Sequence, residues 1–201
     1  MRRSAILAAA FAAFGLSACV SLKEPIGTSV GFRNDPTLEG LWVGGSEKDR
    51  KQGAITYGHV ILNDDNTMTV VGVSPRVGEH KASWGTLQLT TVKLGDNRYL
   101  NEIETSADGK PPADGDKASM PAFYRLRGDT LTIYMFDTDK VAKDVDAGRI
   151  AGIVHRTDQD HMVQSVEVTA DGLAMDAWLA GPDAPKLFDE FLVLKRVARP
   201  Q

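Results

Sequence analysis

Three groups of residues in this chain have types and spacings that could carry chemistry. Gly27-Thr28-Ser29-Val30-Gly31 has the G-x-S-x-G spacing of a nucleophile elbow, in which a serine perches on a tight turn between a strand and a helix. Phe32-Arg33-Asn34-Asp35-Pro36 follows it without helical period, so the spacing predicts a linker rather than an elbow. His155, Asp158, Asp160 and His161 form the densest set of potential metal ligands or acid–base groups. A metal site needs imidazole and carboxylate to converge from rigid supports. These four span a predicted hairpin turn, where aspartate is common because its side chain bonds the local backbone. Asp64-Asp65-Asn66 and Asp114-Gly115-Asp116 suggest calcium loops, but both lack the glycine and terminal glutamate of an EF-hand loop.

The sequence holds no P-loop, no G-x-G-x-x-G after a strand and no H-E-x-x-H. Lys81, Lys93, Arg98 and Arg125 are scattered along the chain, and 27 acidic against 23 basic residues give a net charge of −4. That balance argues against a nucleic-acid face. No catalytic residue, metal ligand or cofactor is assigned. An enzyme with a site near His155, Asp158, Asp160 and His161 stays open as an alternative.

The single cysteine forbids an intramolecular disulfide and any CxxC site. It stands after Arg2-Arg3, an apolar run from Ala5 to Leu16, and the small residues Ser17 and Ala18. The run has the length of a secretory h-region and is too short to span about 30 Å of hydrocarbon. Leu16-Ser17-Ala18-Cys19 resembles the bacterial lipobox. The resemblance implies cleavage before Cys19, diacylation of its sulfur by chains such as palmitate, and acylation of the new amine. Val20 in place of aspartate implies sorting to the outer membrane, facing the periplasm. Two or three acyl chains hold a protein far more firmly than one, which binds only reversibly. Residues 1–18 are then a lipoprotein signal peptide, 19–37 a flexible lipidated tether, and 38–201 one β-rich globular domain. Losing Arg2 and Arg3 shifts the net charge from −4 to −6.

The elements that must position any site are predicted to be mainly strands. A chain of 201 residues suits one domain, and burial of roughly 70% of its unfolded surface needs no disulfide. From Leu38 onward, short alternating runs lie between turn residues. They cover Leu41–Val43, Tyr57–Leu62, Thr67–Val73, Ser83–Thr90, Arg98–Glu104, Phe123–Leu126 and Leu131–Phe136. Ser106–Ala118 is predicted as a long loop. Asp137 or Asp139 can cap a short helix bearing Val141 and Val145 and ending at Gly148. Ile150–Arg156 and Met162–Thr169 are two further strands, Ala170–Ala180 a second helix, Asp183-Ala184-Pro185 a helical turn, and Phe191–Val197 a final strand.

This order gives an α+β protein, mainly antiparallel β, and closing the sheet into a barrel removes its edges. Gly40-Leu41-Trp42 resembles the Gly-x-Trp signature of lipocalins, which implies a lipocalin-like barrel whose tryptophan plugs one end and stacks under a late arginine. Arg196 is the candidate partner, with Arg199 second. Two helices between the last strands depart from that family, so another antiparallel α+β arrangement stays open. Trp42, Trp84, Tyr99, Phe123, Tyr124, Tyr134, Phe136 and Trp178 can line a core or a cavity. The expected function is a lipid-anchored envelope protein that binds an apolar small ligand or an envelope partner, not nucleic acid. A structural lipoprotein without a pocket is the remaining alternative.

Overall fold

The computed structural model of the chain describes residues 19–75, 82–111 and 120–198. The lipobox residues Leu16, Ser17 and Ala18 lie outside this set, as do Lys81, Asp114-Gly115-Asp116 and Arg199. A short strand, β1 (Cys19–Leu22), comes first. Seven strands then follow in an antiparallel meander: β2 (Gly40–Gly45), β3 (Thr56–Leu62), β4 (Met68–Pro75), β5 (Ala82–Leu94), β6 (Asn97–Ala107), β7 (Met120–Arg127) and β8 (Thr130–Phe136). A short helix, α1 (Glu47–Lys51), interrupts them after β2. The chain next leaves the meander for α2 (Thr138–Asp146), β9 (Gly152–Arg156), β10 (Val163–Val168) and α3 (Gly172–Ala180). Finally β11 (Phe188–Arg196) pairs with both β8 and β2 and closes an eight-stranded barrel. The fold is α+β, mainly antiparallel, with a lipocalin-like closed barrel.

The excursion between β8 and β11 builds a second layer. β10 pairs antiparallel with β9 and parallel with β1, giving a three-stranded sheet beside the barrel. Asp137 caps α2, accepting from the N–H groups of Asp139 and Lys140, and Gly148 ends it at φ +68°. Asp171 caps α3 by accepting from the Ala174 N–H. Gly172 inside that helix is unfavourable by propensity, but a Cβ there would lie 2.8 Å from Glu24 and 3.0 Å from Thr28. Close approach of the 24–28 segment therefore requires it.

Strand alternation produces two cores. Inward residues of the barrel, among them Trp42, Val60, Met68, Leu89, Leu100, Leu131 and Leu194, form the first. Outward residues of β5 to β8 and β11 pack against the second layer in the other, where Tyr99, Phe123 and Phe188 meet Val141, Val166, Met175 and Leu179. Most of the aromatics belong here: Phe123 and Tyr134 are 5.4 Å apart, Phe136 and Phe188 4.1 Å, and Trp178 stacks on Phe136 at 6.2 Å. Of the eight aromatics named from sequence, Trp42 and Tyr124 face the barrel interior, and Trp84 is exposed.

Two expectations need correction. Residues 19–37 do not form a free tether: β1 joins the side sheet, and Ile26 is fully buried. The Ile26 N–H donates to Asn101 Oδ1 at 2.9 Å, and Asn101 Nδ2 donates back to the Ile26 carbonyl at 2.9 Å. The β1 ladder, one buried apolar side chain and a paired amide help dock a segment whose composition resembles a linker. The predicted loop beginning at Ser106 is also shortened, because β6 continues through Ala107 against Gly85. Helix α1 escaped the sequence reading, although Ser46 and Asp49 form a reciprocal capping box.

Candidate functional site

The barrel has one closed end. Pro36–Leu38 form a 3-10 turn across it, and the Trp42 indole Nε1 donates to the Leu38 carbonyl at 2.8 Å. Trp42 is fully buried, and the guanidinium carbon of Arg196 stands 4.1 Å from its ring centroid. Register places the two residues directly opposite on β2 and β11. Arg196 also donates to the carbonyls of Thr37 and Glu39, so one side chain ties the last strand to the turn. A stacked guanidinium gains cation–π energy while keeping its donors in plane for such bonds.

Toward the other end the interior loosens. On five strands the inward residue nearer the closed end is buried and its neighbour two positions on is only partly buried. The pairs are Met68 and Val70, Leu89 and Leu87, Ala122 and Met120, Leu131 and Ile133, Leu194 and Leu192. Val70 pairs with Leu87, and Ile133 with Leu192, so these residues line the same inner wall. These inward apolar side chains are less tightly covered than those nearer the closed end. The next inward positions on β3, β4 and β5 are Gly58, Gly72 and Gly85, which are register partners in turn. Small residues there leave the wall thin. Thr56 and Ser74 form a polar rim, their hydroxyls 2.9 Å apart. The inner wall is thus mostly apolar, with Glu102 of β6 between Leu89 and Met120, and it is plugged at Trp42.

Below the plug lies a polar cluster. Asp35 caps the 3-10 turn and accepts from the Thr37 N–H at 3.0 Å and hydroxyl at 2.6 Å. Buried Tyr124 donates its hydroxyl to Asp35 at 2.7 Å, and Arg98 lies 3.3 Å from the same oxygen. Burial pushes the Asp35 carboxyl up, but the bonds from Thr37 and Tyr124 and the charge of Arg98 outweigh it and hold it below the usual range. Burial, reinforced by the Asp35 carboxylate, pushes the Tyr124 phenol strongly upward, so it remains a donor.

The other sequence candidates sit elsewhere. Ser29 donates its hydroxyl to Asp176 at 2.6 Å, and among the described residues no histidine bonds to it. His155, Asp158, Asp160 and His161 are exposed on the β9–β10 hairpin. Asp160 accepts from Thr157 and from the Met162 N–H, which fixes the turn and lowers its carboxyl's pKa. Among the described residues no three His, Cys, Asp or Glu side chains converge as a metal site. Asp65 likewise accepts from the Thr67 hydroxyl at 2.6 Å and N–H at 3.1 Å within its own turn. The cations taken as scattered are not all so: Lys93 and Arg98 are direct register partners, and both line one cleft with Arg33. Their spacing around the Gly95-Asp96 turn was the available signal.

Fold and site together define an up-and-down β-barrel protein, closed by a tryptophan–arginine plug and backed by a small α/β layer. No family model, curated protein or solved structure matches the chain.

Proposed function

We propose that this is a lipid-anchored protein of the bacterial cell envelope, acylated at Cys19, held at the outer membrane and facing the periplasm, whose barrel takes an apolar small ligand. One observation supports the binding reading: inward apolar side chains stay partly accessible on five strands while those nearer the closed end are buried. Small-molecule sites combine such an apolar wall with a few polar groups at the mouth. The anchoring reading is supported by Leu16-Ser17-Ala18-Cys19.

Titration with a fluorescent polyene fatty acid tests the binding reading. Saturable one-to-one binding is expected, weakened at least about tenfold by Leu87→Trp, which fills the barrel interior. A folded barrel that shows no saturable binding overturns it. The outer wall favours a second reading, contact with an envelope partner. Leu41, Tyr57, Ile61, Val73 and Trp84 face solvent on β2 to β5, and Tyr57, Val73 and Trp84 are successive register partners. Contiguous exposed apolar surface of this kind marks interaction faces. Loss of in-cell crosslinks on Tyr57→Ser with Trp84→Ser, with fatty-acid binding intact, would assign the wall to a partner.

A further inference from the structure

Three cations and one carboxylate meet in a cleft of about 410 Å³ lined by Arg33, Asp35, Thr91, Lys93, Arg98 and Tyr124. That volume falls within the roughly 300–1,000 Å³ of small-molecule sites. Each cation is delivered by a different part of the fold. Arg33 is pinned by an isolated antiparallel bridge: its N–H donates to the Thr91 carbonyl at 2.9 Å, and its carbonyl accepts from the Thr91 N–H at 2.9 Å and hydroxyl at 2.6 Å. Lys93 and Arg98 face each other across the β5–β6 ladder. Like charges directly opposite in an antiparallel pair are destabilising, yet only Arg98 is answered, by Asp35 at 3.3 Å. Asp35 already serves Thr37 and Tyr124. Among the described residues, the Arg33 guanidinium and the Lys93 ammonium have no ion pair. The cleft thus carries a net charge of +2 in a chain of net −4.

We propose that this cleft binds a phosphate monoester, carried either by a soluble molecule or by a lipid headgroup. A monoester bears about −1.5 to −2 at pH 7 and so balances both unanswered cations, whereas a carboxylate leaves one uncompensated. Arginine supplies a fork that matches phosphate oxygens and lysine a mobile point charge. Asp35 is occupied by Tyr124, Thr37 and Arg98, so Arg33 and Lys93 are the cations left to seat the anion. The proposal does not rest on ligand binding inside the barrel, because the cleft is lined by the 33–36 segment and the ends of β5 and β6.

Isothermal titration of the full chain in neutral detergent with inorganic phosphate, at ionic strength held constant with chloride, tests it. One saturable site is expected, weakened at least about tenfold by Arg33→Ala or Lys93→Gln, the scale of losing a hydrogen bond to a charged group. Lys93→Gln should also raise the thermal midpoint in phosphate-free, low-salt buffer, because it relieves the repulsion with Arg98. Arg125→Gln, on the outward face of β7, should bind as the parent does. Glycerol 3-phosphate and a short-chain phosphatidic acid separate the sources: equal affinity assigns a soluble ester, and tighter lipid binding that Lys93→Gln abolishes assigns a headgroup. Absence of saturation above chloride, or binding unchanged in a folded Arg33→Ala/Lys93→Gln double variant, overturns the proposal.

Discussion

Asp176, buried in α3, accepts the hydroxyl and the N–H of Ser29, 147 residues earlier in the chain, at 2.6 and 3.1 Å. The same carboxylate accepts from the Gly27 N–H at 2.7 Å. These three bonds, together with Ile26, hold the N-terminal segment against the second layer, and they explain why a serine in G-x-S-x-G spacing here has a structural partner. Asp176→Ala leaves the buried Gly27 N–H unsatisfied, worth about 1–3 kcal/mol, and removes two part-buried bonds from Ser29. A loss of roughly 3 kcal/mol in a urea melt is expected, with Ser29→Ala costing about 1 kcal/mol. A cost for Asp176→Ala below about 1 kcal/mol would show the segment undocked in solution.

The plug gives a second expectation. Trp42→Ala removes a fully buried indole and should cost about 3–5 kcal/mol. Arg196→Ala loses the stack and two bonds to backbone carbonyls and should cost about 2 kcal/mol. Arg196→Lys should recover little, since an ammonium cannot stack flat and reach both carbonyls. The two effects should be non-additive, because each variant removes the same contact. Additive losses in a double-variant melt would separate the two side chains.

Trp42 and Arg196 were legible in the sequence because the Gly-x-Trp resemblance fixed the first and implied a late arginine, which the final strand offered, for the second. Asp137 was legible for a local reason: a cap acts within its own turn. What escaped is set by long-range contact. Nothing near Ser29 announces Asp176, and nothing in Pro25-Ile26-Gly27 announces that Ile26 is buried by another layer. Alternation tells which residues face inward but not how deep they lie, so Leu89 and Leu87 look alike in sequence and differ in the barrel. Arg33, likewise, joins Lys93 and Arg98 only once its segment is pinned at Thr91.

Anchoring through Cys19 makes a prediction about distance from the membrane. β1 begins at Cys19 itself and is paired to β10 from its first residue, Cys19 opposite Ser165. An acylated Cys19 would therefore hold the side sheet close to the bilayer rather than at the end of a flexible stalk. Cys19→Ala should abolish palmitate labelling and release the protein to the soluble periplasmic fraction. Unchanged membrane retention would refute acylation. Shaving of intact vesicles with protease should leave Lys23 and Lys186 differently protected if the sheet sits at the surface, and equally cleaved if a free stalk exists.

Asp35 links the closed end to pH. Its carboxyl is held below its ordinary value of 3.8, so the folded state binds that proton less readily than the unfolded chain does. A depressed carboxyl contributes stability that is fully present above the unfolded value and is lost as pH falls through the folded one. Removing the carboxylate should therefore matter most near neutrality. Asp35→Asn, which keeps the size but weakens acceptance from Thr37 and Tyr124, should be clearly less stable than the parent at pH 7. That gap should narrow below about pH 4 as the parent's own Asp35 takes up its proton. Chemical melts of both proteins from pH 7 down to pH 2.5 check the point. A gap that stays constant across that range would mean the ionised carboxylate is not what ties the 3-10 turn to Tyr124, and that the turn is held by Arg196 and Trp42 alone.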